Sequence, residues 1–137
     1  MSDPKSTTAQ KAEAFRTLHA APGSFVIANA WDAGSAKLLR GLGFSALATS
    51  SGAEAGVLGR VDGRVTRDEA LAHARAIADA VDLPVSADLE NCFADRPEEA
   101  AKTIAMAAQS RSTRPPLPQS ASRRPLPPPV QPGFRSS

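Results

Sequence analysis

Hydrophobic positions in the first 110 residues follow two patterns that alternate along the chain. Short continuous apolar runs, rich in Phe and β-branched residues, predict three buried strands. These runs are SFVIAN (24–29), FSALATS (44–50) and PVSADLE (84–90). Around and between them, apolar residues recur at the spacing of amphipathic helices.

Four segments have this helical spacing. They are residues 7–20, the stretch from Asp32 through Leu39, the stretch from Thr66 through Val81, and residues 96–109. Thr7 with Gln10, and Thr66 with Glu69, have the spacing of a capping box, in which the first and fourth residues satisfy each other's backbone N–H groups. These pairs predict where the first and third helices begin.

The second helix has both a start signal and a stop signal. Asp32 is the expected N-cap, and Gly41 and Gly43 are expected to end the helix. Asp95 and Glu98 are the expected caps of the last helix. Between the second strand and the third helix, the glycine-rich residues 51–65 are predicted to be a long loop.

The order is one helix followed by three strand–helix units with short connections. Such alternation predicts an α/β fold with parallel strands. Right-handed crossovers then give either an open doubly wound sheet or part of a (β/α)₈ TIM barrel. No GxGxxG follows the first strand, so a dinucleotide-binding domain has no support.

Composition divides the chain near residue 110. Residues 111–137 contain eight of the twelve prolines and five arginines but no acidic residue, whereas residues 1–110 hold 11 Lys and Arg against 14 Asp and Glu. We expect residues 111–137 to be a disordered or polyproline-like Pro/Arg/Ser-rich tail. The body, residues 1–110, is mildly acidic and has no basic face, which argues against a nucleic-acid partner.

The sequence contains few features that indicate the cellular compartment. The single cysteine, Cys92, excludes an internal disulfide. The polar N-terminus lacks the apolar region of a signal peptide, and no run approaches about 18 apolar residues. We expect a cytoplasmic protein without a membrane partner.

Acidic residues follow the third apolar run. In an extended strand, Ser86, Asp88 and Glu90 share one face, and in a barrel they point inward at the C-terminal rim. Two carboxylates there repel each other unless a cation or a proton intervenes. Mg²⁺ suits such a pair because it takes oxygen ligands. The alternative is that Asp88 caps a backbone turn and Glu90 is solvated.

Three blocks together resemble one known family. NAWDAGSAKLL, GFSALATSSGAEAGVLGRVDG and VDLPVSADLENCFAD, in this order, resemble the isocitrate lyase/phosphoenolpyruvate mutase superfamily, closest to its methylisocitrate-lyase-like and phosphonomutase-like members. The resemblance covers roughly residues 10–110. It implies a (β/α)₈ barrel that binds Mg²⁺ or Mn²⁺ and a small α-keto acid or phosphoenolpyruvate-type substrate. The implied reaction makes or breaks a C–C or P–C bond through a pyruvate enolate.

The resemblance also assigns six site residues. It implies that Ser50, Ser51 and Gly52 hold the substrate carboxylate, and that Asp88, Glu90 and Asp62 belong to the metal site. If the resemblance is set aside, an ordinary polar loop explains residues 50–52, and a turn before glycine explains Asp62. His19 and His73 are expected to be surface residues of helices.

The sequence departs from the family pattern in two places. Cys92 and Ala94 stand where the family usually has glycines, and a side chain at a position with φ > 0 costs about 1 kcal/mol or more. The fourth-strand glutamate and the catalytic acid/base loop are also absent, so no catalytic residue is assigned. We therefore expect residues 1–110 to be the first three β/α units of a barrel, with a tail derived from a frameshift and a chain that is catalytically incomplete.

Two other functions stay open at this stage. A non-enzymatic binding protein would use the proline-rich tail as a ligand for an SH3-like groove. A different Mg²⁺-dependent aldolase-type barrel would have the same rim carboxylates. The substrate is undetermined among methylisocitrate, oxaloacetate and phosphonopyruvate, and the C-terminal helices through which the family often forms homo-oligomers are not found.

Overall fold

A computed structural model describes residues 7–109 of the chain. The tail predictions for residues 111–137, including disorder, the frameshift origin and the SH3-like ligand, lie outside the described residues. Within the described part the elements are α1 (Thr8–Ala20), β1 (Ala28–Asn29), α2 (Ala33–Gly41), β2 (Leu47–Ala48), α3 (Ser51–Val57), α4 (Arg67–Ala80), β3 (Val85–Ser86) and α5 (Pro97–Gln109).

The three strands form one parallel sheet in the order β1-β2-β3. Leu47 of β2 is in register with Ala28 on one side and Val85 on the other. The predicted α/β class and parallel pairing are therefore confirmed. The complete eight-stranded barrel stays a prediction.

Each strand is much shorter than its apolar run, so the predicted strand lengths are wrong. The regular ladder covers two residues per strand instead of six or seven. Val26, inside the first run, is 70% exposed. An apolar run predicts partial burial, but only hydrogen-bonded neighbours on the adjacent strand make a ladder.

The predicted capping residues begin three of the helices. Thr7 with Gln10 and Thr66 with Glu69 form complete capping boxes. Asp32 accepts a hydrogen bond from the Ser35 backbone N–H at 2.7 Å, as an N-cap does. These local predictions are confirmed.

The predicted loop 51–65 is partly wrong because its first half is helix α3. The Ser50 hydroxyl accepts a hydrogen bond from the Ala53 N–H and begins the helix. The next residues, Ala53–Ala55, are buried against the rest of the molecule. Burial of this turn outweighs the low helix propensity of Gly52 and Gly56, the residues that suggested a loop.

The core lies between the sheet and helices α2 and α4. Its buried cluster consists of Ala30, Ala36, Leu47, Ile77 and Val81. Two of the five are alanines, which lets α2 and α4 pack closely on each other and on β2. The core thereby fixes the ends of β2 and β3, where the predicted site residues lie.

Helix α1 is joined to this core by a buried lysine. The Lys11 ammonium donates hydrogen bonds to the carbonyl oxygens of Val81 (2.6 Å) and Ala78 (3.1 Å) at the end of α4. A helix end leaves carbonyl groups without partners inside the helix, and a cation there also complements the helix dipole. Lys11 therefore acts as a tertiary cap for α4.

The helices of the described residues are short or polar relative to a membrane span. None of those in residues 7–109 combines the length and the apolar character needed to cross a bilayer.

Candidate functional site

Asp88 is the centre of the candidate site, just beyond β3. Its Oδ2 accepts a hydrogen bond from the Ser51 backbone N–H at 3.0 Å, and its Oδ1 accepts one from the Glu90 N–H at 3.0 Å. Its own backbone N–H donates to the hydroxyl oxygen of buried Thr49 at 2.9 Å. These contacts hold the Asp88 carboxylate against the segment that follows β2.

The same contacts favour the ionised form of the Asp88 carboxyl group. The hydrogen bond from Ser51, followed by the one from Glu90, holds the pKa of Asp88 below its usual value, although partial burial acts in the opposite direction. An ionised carboxylate with fixed orientation is the chemical group that a divalent cation requires.

Asp62 also approaches the segment that follows β2. Its carboxylate lies against Gly52, where an added Cβ would stand 3.5 Å from Asp62 Oδ2. Its Oδ1 also accepts a hydrogen bond from the Gly63 N–H at 3.0 Å, as a turn residue does. The structure therefore places Asp88 beside Ser51 and Asp62 beside Gly52, on adjacent residues of one turn.

Glu90 does not continue β3 as predicted. The strand ends at Ser86, and Glu90 has a φ of 50°, so strand alternation does not orient its side chain. Because Asp88 accepts the Glu90 N–H, it does cap a backbone turn, as the alternative to a metal site proposed. The two carboxylate oxygens of Asp88 thus accept from two different backbone N–H groups, Oδ1 from Glu90 and Oδ2 from Ser51.

The available donors match a hard cation in type. Across residues 7–109, no three His, Cys, Asp or Glu side chains converge closely enough to hold a metal ion. Mg²⁺ commonly uses only one or two carboxylates and takes its other oxygens from water and substrate. Asp88 and Asp62 offer oxygen donors of this kind.

The turn after Glu90 has the backbone geometry that glycine favours. Cys92 has a φ of 61° and Phe93 a φ of 56°. Of the two positions where the family usually has glycine, Cys92 therefore has a positive φ, whereas Ala94 is not among the residues with positive φ. The turn is held by Phe93, which packs on a cluster containing Ala55, and by the Thr103 hydroxyl, which donates to the Cys92 carbonyl at 2.8 Å.

We expect Cys92→Gly to raise the free energy of unfolding by about 1 kcal/mol, because glycine adopts this φ without a steric penalty. Urea denaturation followed by circular dichroism measures the change. Cys92→Ala is the matched control, since alanine removes the thiol but keeps the Cβ. Equal stability of the two variants would contradict the prediction.

Glu54 and His73 form a second polar centre that the sequence did not reveal. The Glu54 side chain is only 5% exposed, and its Oε2 lies 3.5 Å from His73 Nδ1. His73 Nε2 lies 2.7 Å from the Trp31 carbonyl oxygen, and the His73 side chain is 14% exposed. The prediction that His73 is a surface residue is therefore wrong, because α3 and the end of β1 cover it.

His19 differs from His73. It is exposed, as predicted, and its ring packs edge-on against Phe15 and Phe25. Its Nδ1 lies 2.8 Å from the Phe15 carbonyl oxygen within the same helix. His19 therefore belongs to the packing of α1.

Comparison with known proteins shows the family. The family model described as phosphoenolpyruvate phosphomutase matches residues 15–113, which is more than half of the chain. The chain belongs to the phosphoenolpyruvate phosphomutase family. This family is part of the superfamily of mutases and lyases that the three sequence blocks resemble, so that prediction is confirmed.

Two solved structures are similar to the described fold. A lyase/mutase of Burkholderia cenocepacia J2315 is 51% identical, with a TM-score of 0.73 over 74% of this chain and 37% of that chain. Phosphoenolpyruvate phosphomutase of Streptomyces platensis subsp. rosaceus is 29% identical, with a TM-score of 0.66 over 73% of this chain and 35% of that chain.

The chain is also similar to a curated protein of known sequence. An uncharacterised protein of Mycobacterium tuberculosis (strain ATCC 25618 / H37Rv) is 37% identical over 92 residues, which are 66% of this chain and 35% of that protein. The chain thus spans about a third of the length of the curated relatives it matches.

Proposed function

We propose that residues 7–109 form the carboxylate-binding and metal-binding part of a lyase or mutase site. The substrate class is a small α-keto acid or phosphoenolpyruvate-type carboxylate, and the reaction makes or breaks a C–C or P–C bond next to a pyruvate enolate. One contact carries the proposal, the 3.0 Å hydrogen bond from the Ser51 N–H to Asp88 Oδ2. It joins two of the family-like sequence blocks across 37 residues.

In this proposal the substrate carboxylate binds at Ser50, Ser51 and Gly52. The Ser51 N–H already holds one carboxylate, that of Asp88, so the position accepts this chemical group. Gly52 lacks a Cβ, and the Asp62 carboxylate approaches it closely. In the loaded site, Asp88 would hold the cation, and Ser50, Ser51 and Gly52 would hold the substrate carboxylate.

The cation is Mg²⁺ or Mn²⁺, held by Asp88 with Asp62 or Glu90 contributing through oxygen or water. When bound, it stabilises the negative charge of a developing enolate. Thr49 orients Asp88 through the backbone hydrogen bond to its hydroxyl. The pKa of Asp88, lowered chiefly by the Ser51 hydrogen bond, keeps this ligand charged at neutral pH.

The proposal also holds that the 137-residue chain alone does not turn over substrate. The structures to which it is similar are nearly three times as long as the part they share with it. The roles assigned to Asp88, Asp62 and Ser50–Gly52 are to bind and orient the cation and the substrate carboxylate. The proposal assigns no general acid or base to the described residues.

Metal binding tests the proposal without requiring turnover. We expect Asp88→Asn to weaken Mn²⁺ binding to the full chain by about tenfold or more, because an amide removes the charge of the main ligand. Electron paramagnetic resonance of unbound Mn²⁺ measures the affinity. Asp68→Asn, at an exposed position on α4, is the matched control and leaves the affinity unchanged.

Two outcomes would contradict parts of the proposal. Equal Mn²⁺ affinity of Asp88→Asn and the unmodified chain would remove Asp88 from the metal site. Pyruvate formation by the purified chain from oxaloacetate would overturn the catalytic incompleteness while supporting the substrate class.

A further inference from the structure

A groove between α4, β3 and α5 is not part of the proposed metal and carboxylate site. Its walls include Leu71, Ala74 and Ala78 of α4, together with Val85 of β3 and Ala87 just after it, and its volume is about 260 Å³. None of its lining residues is assigned to the proposed metal site or substrate site. An inference about this groove therefore stands or fails independently of the proposed function.

The groove presents apolar surface to water. Ala74, Ala78 and Val85 are only partly buried, and Ala87 is exposed. Within residues 7–109, β3 is an edge strand, because β2 is the one strand that pairs with it. Apolar surface beside an unpaired strand edge favours the docking of another segment. A cover of apolar groups would remove this surface from water.

The last turn of α5 forms one end of the groove. Ala107 and Ala108 line it, and the described residues end one position later, at Gln109. The chain continues from residue 110 to residue 137. These residues are therefore tethered at the groove itself. A short flexible tether gives an effective concentration on the order of millimolar, which favours this segment over a partner that is free in solution.

The first apolar residues after α5 are Pro115, Pro116, Leu117 and Pro118. Proline-rich segments enter apolar grooves as a preformed extended helix, which lowers the entropy lost on docking. The residues 110–114 that precede them span up to about 16–18 Å when extended. This length is enough to reach a cavity whose wall includes the last turn of α5.

The size and the charge of the groove agree with this segment. A cavity of about 150 Å³ holds benzene, so a cavity of about 260 Å³ accommodates the Leu117 side chain with a neighbouring proline ring. Among the described lining residues, Arg75 is the one that carries a charge. Residues 115–119 have no charge that Arg75 would repel. The tail as a whole is basic and residues 1–110 are mildly acidic, so the two attract each other.

We propose that residues 115–118 of the same chain dock in this groove, with the Leu117 side chain against Ala74, Ala78 and Val85. Docking removes apolar surface from water and fastens the end of α5 to α4 and β3. The proline-rich tail is then an internal ligand of the α/β body.

Disulfide trapping in the full chain tests the proposal. All variants carry Cys92→Ala, which removes the single native thiol. We expect Ala74→Cys with Leu117→Cys to form an intramolecular disulfide in the presence of an oxidant at least tenfold faster than Ala74→Cys with Leu126→Cys. Leu126 is the matched control, because it also has a proline on each side. Non-reducing gel electrophoresis and mass spectrometry of proteolytic fragments measure the rates and locate the bridges.

A second control tests the face of α4 to which the tail binds. Ala72 lines the pocket on the α3 side of α4, so we expect Ala72→Cys with Leu117→Cys to bridge at least tenfold more slowly than the Ala74 pair. Equal rates in the three pairs would overturn the proposal, because they would show that the tail has no preferred position. A bridge from Leu117→Cys that joins two molecules would also overturn it, since the occupant would then come from a second copy.

A pair of single substitutions keeps the test valid if the cysteine variants do not fold. Leu117→Ser uncovers the groove, and we expect it to lower the urea midpoint by about 0.5 M or more. Leu126→Ser makes the same chemical change outside the docked segment, and we expect it to leave the midpoint unchanged. Equal midpoints in these two variants would contradict the docking of Leu117.

Discussion

Replacing Leu47 by alanine is expected to lower the free energy of unfolding by about 2–5 kcal/mol, the usual cost of a large-to-small change in a core. Leu47 lies in the central strand and is fully buried. It packs in a cluster whose other members include Ala30, Ala36 and Ile77. Because the alanines are too small to fill a new cavity, we expect a cost in the upper half of this range.

Urea denaturation followed by far-ultraviolet circular dichroism measures this loss. Leu42→Ala is the matched control, because the Leu42 side chain is 76% exposed near the end of α2. Exposed substitutions usually change stability by about 0.5 kcal/mol or less. Similar losses of unfolding free energy in the two variants would show that the buried cluster around Leu47 does not stabilise the fold.

Replacing Lys11 by alanine is expected to cost about 1.5–3 kcal/mol, the range for hydrogen bonds made by charged groups. The change leaves the carbonyl oxygens of Ala78 and Val81 without the ammonium that they now share. It also removes a cation from the C-terminal end of α4, where the helix dipole favours one. Amide hydrogen exchange should increase most at the end of α4 and along α1.

Lys37→Ala provides the control for Lys11→Ala. Lys37 lies exposed on α2, so its removal changes charge and side-chain length without uncovering a buried carbonyl group. We expect a change of about 0.5 kcal/mol or less. The cap assigned to Lys11 would be refuted if both lysine variants had the same unfolding midpoint and the same exchange pattern.

The starts of α1, α2 and α4 were predictable because their determinants are local. Thr7, Asp32 and Thr66 each interact with a residue three positions later, so the spacing is visible in the sequence. Helix α3 was missed because its two glycines have low helix propensity. Ser50 is the N-cap in the structure, but the burial that stabilises the turn comes from contacts made only in the folded chain.

The polar contacts across the fold could not be predicted from local patterns. Lys11 and Val81 are 70 residues apart, and nothing in α1 distinguishes Lys11 from a solvated lysine. Glu54 was assigned to a loop, so its partner on α4 had no expected position. One signal was present, because His73 falls on the same helical row as Ala70 and Ile77, which are both buried.

The candidate site was predictable in composition but not in geometry. The sequence blocks brought Asp88 and Ser50–Gly52 into one hypothesis, and the structure places Asp88 in contact with Ser51. The orientation of Glu90 was not predictable from strand alternation, because the chain leaves the extended conformation after Ser86. A pattern of period two carries information only while the backbone stays extended.

The sheet order β1-β2-β3 has a consequence for synthesis on the ribosome. Within residues 7–109, β2 and β3 each pair with the strand made immediately before, so each new β/α unit can dock on a surface that already exists. Helix α1 is the exception, since the carbonyl groups that Lys11 caps belong to residues made about seventy positions later. Helix α1 is therefore secured by this contact only after the end of α4 has been synthesised.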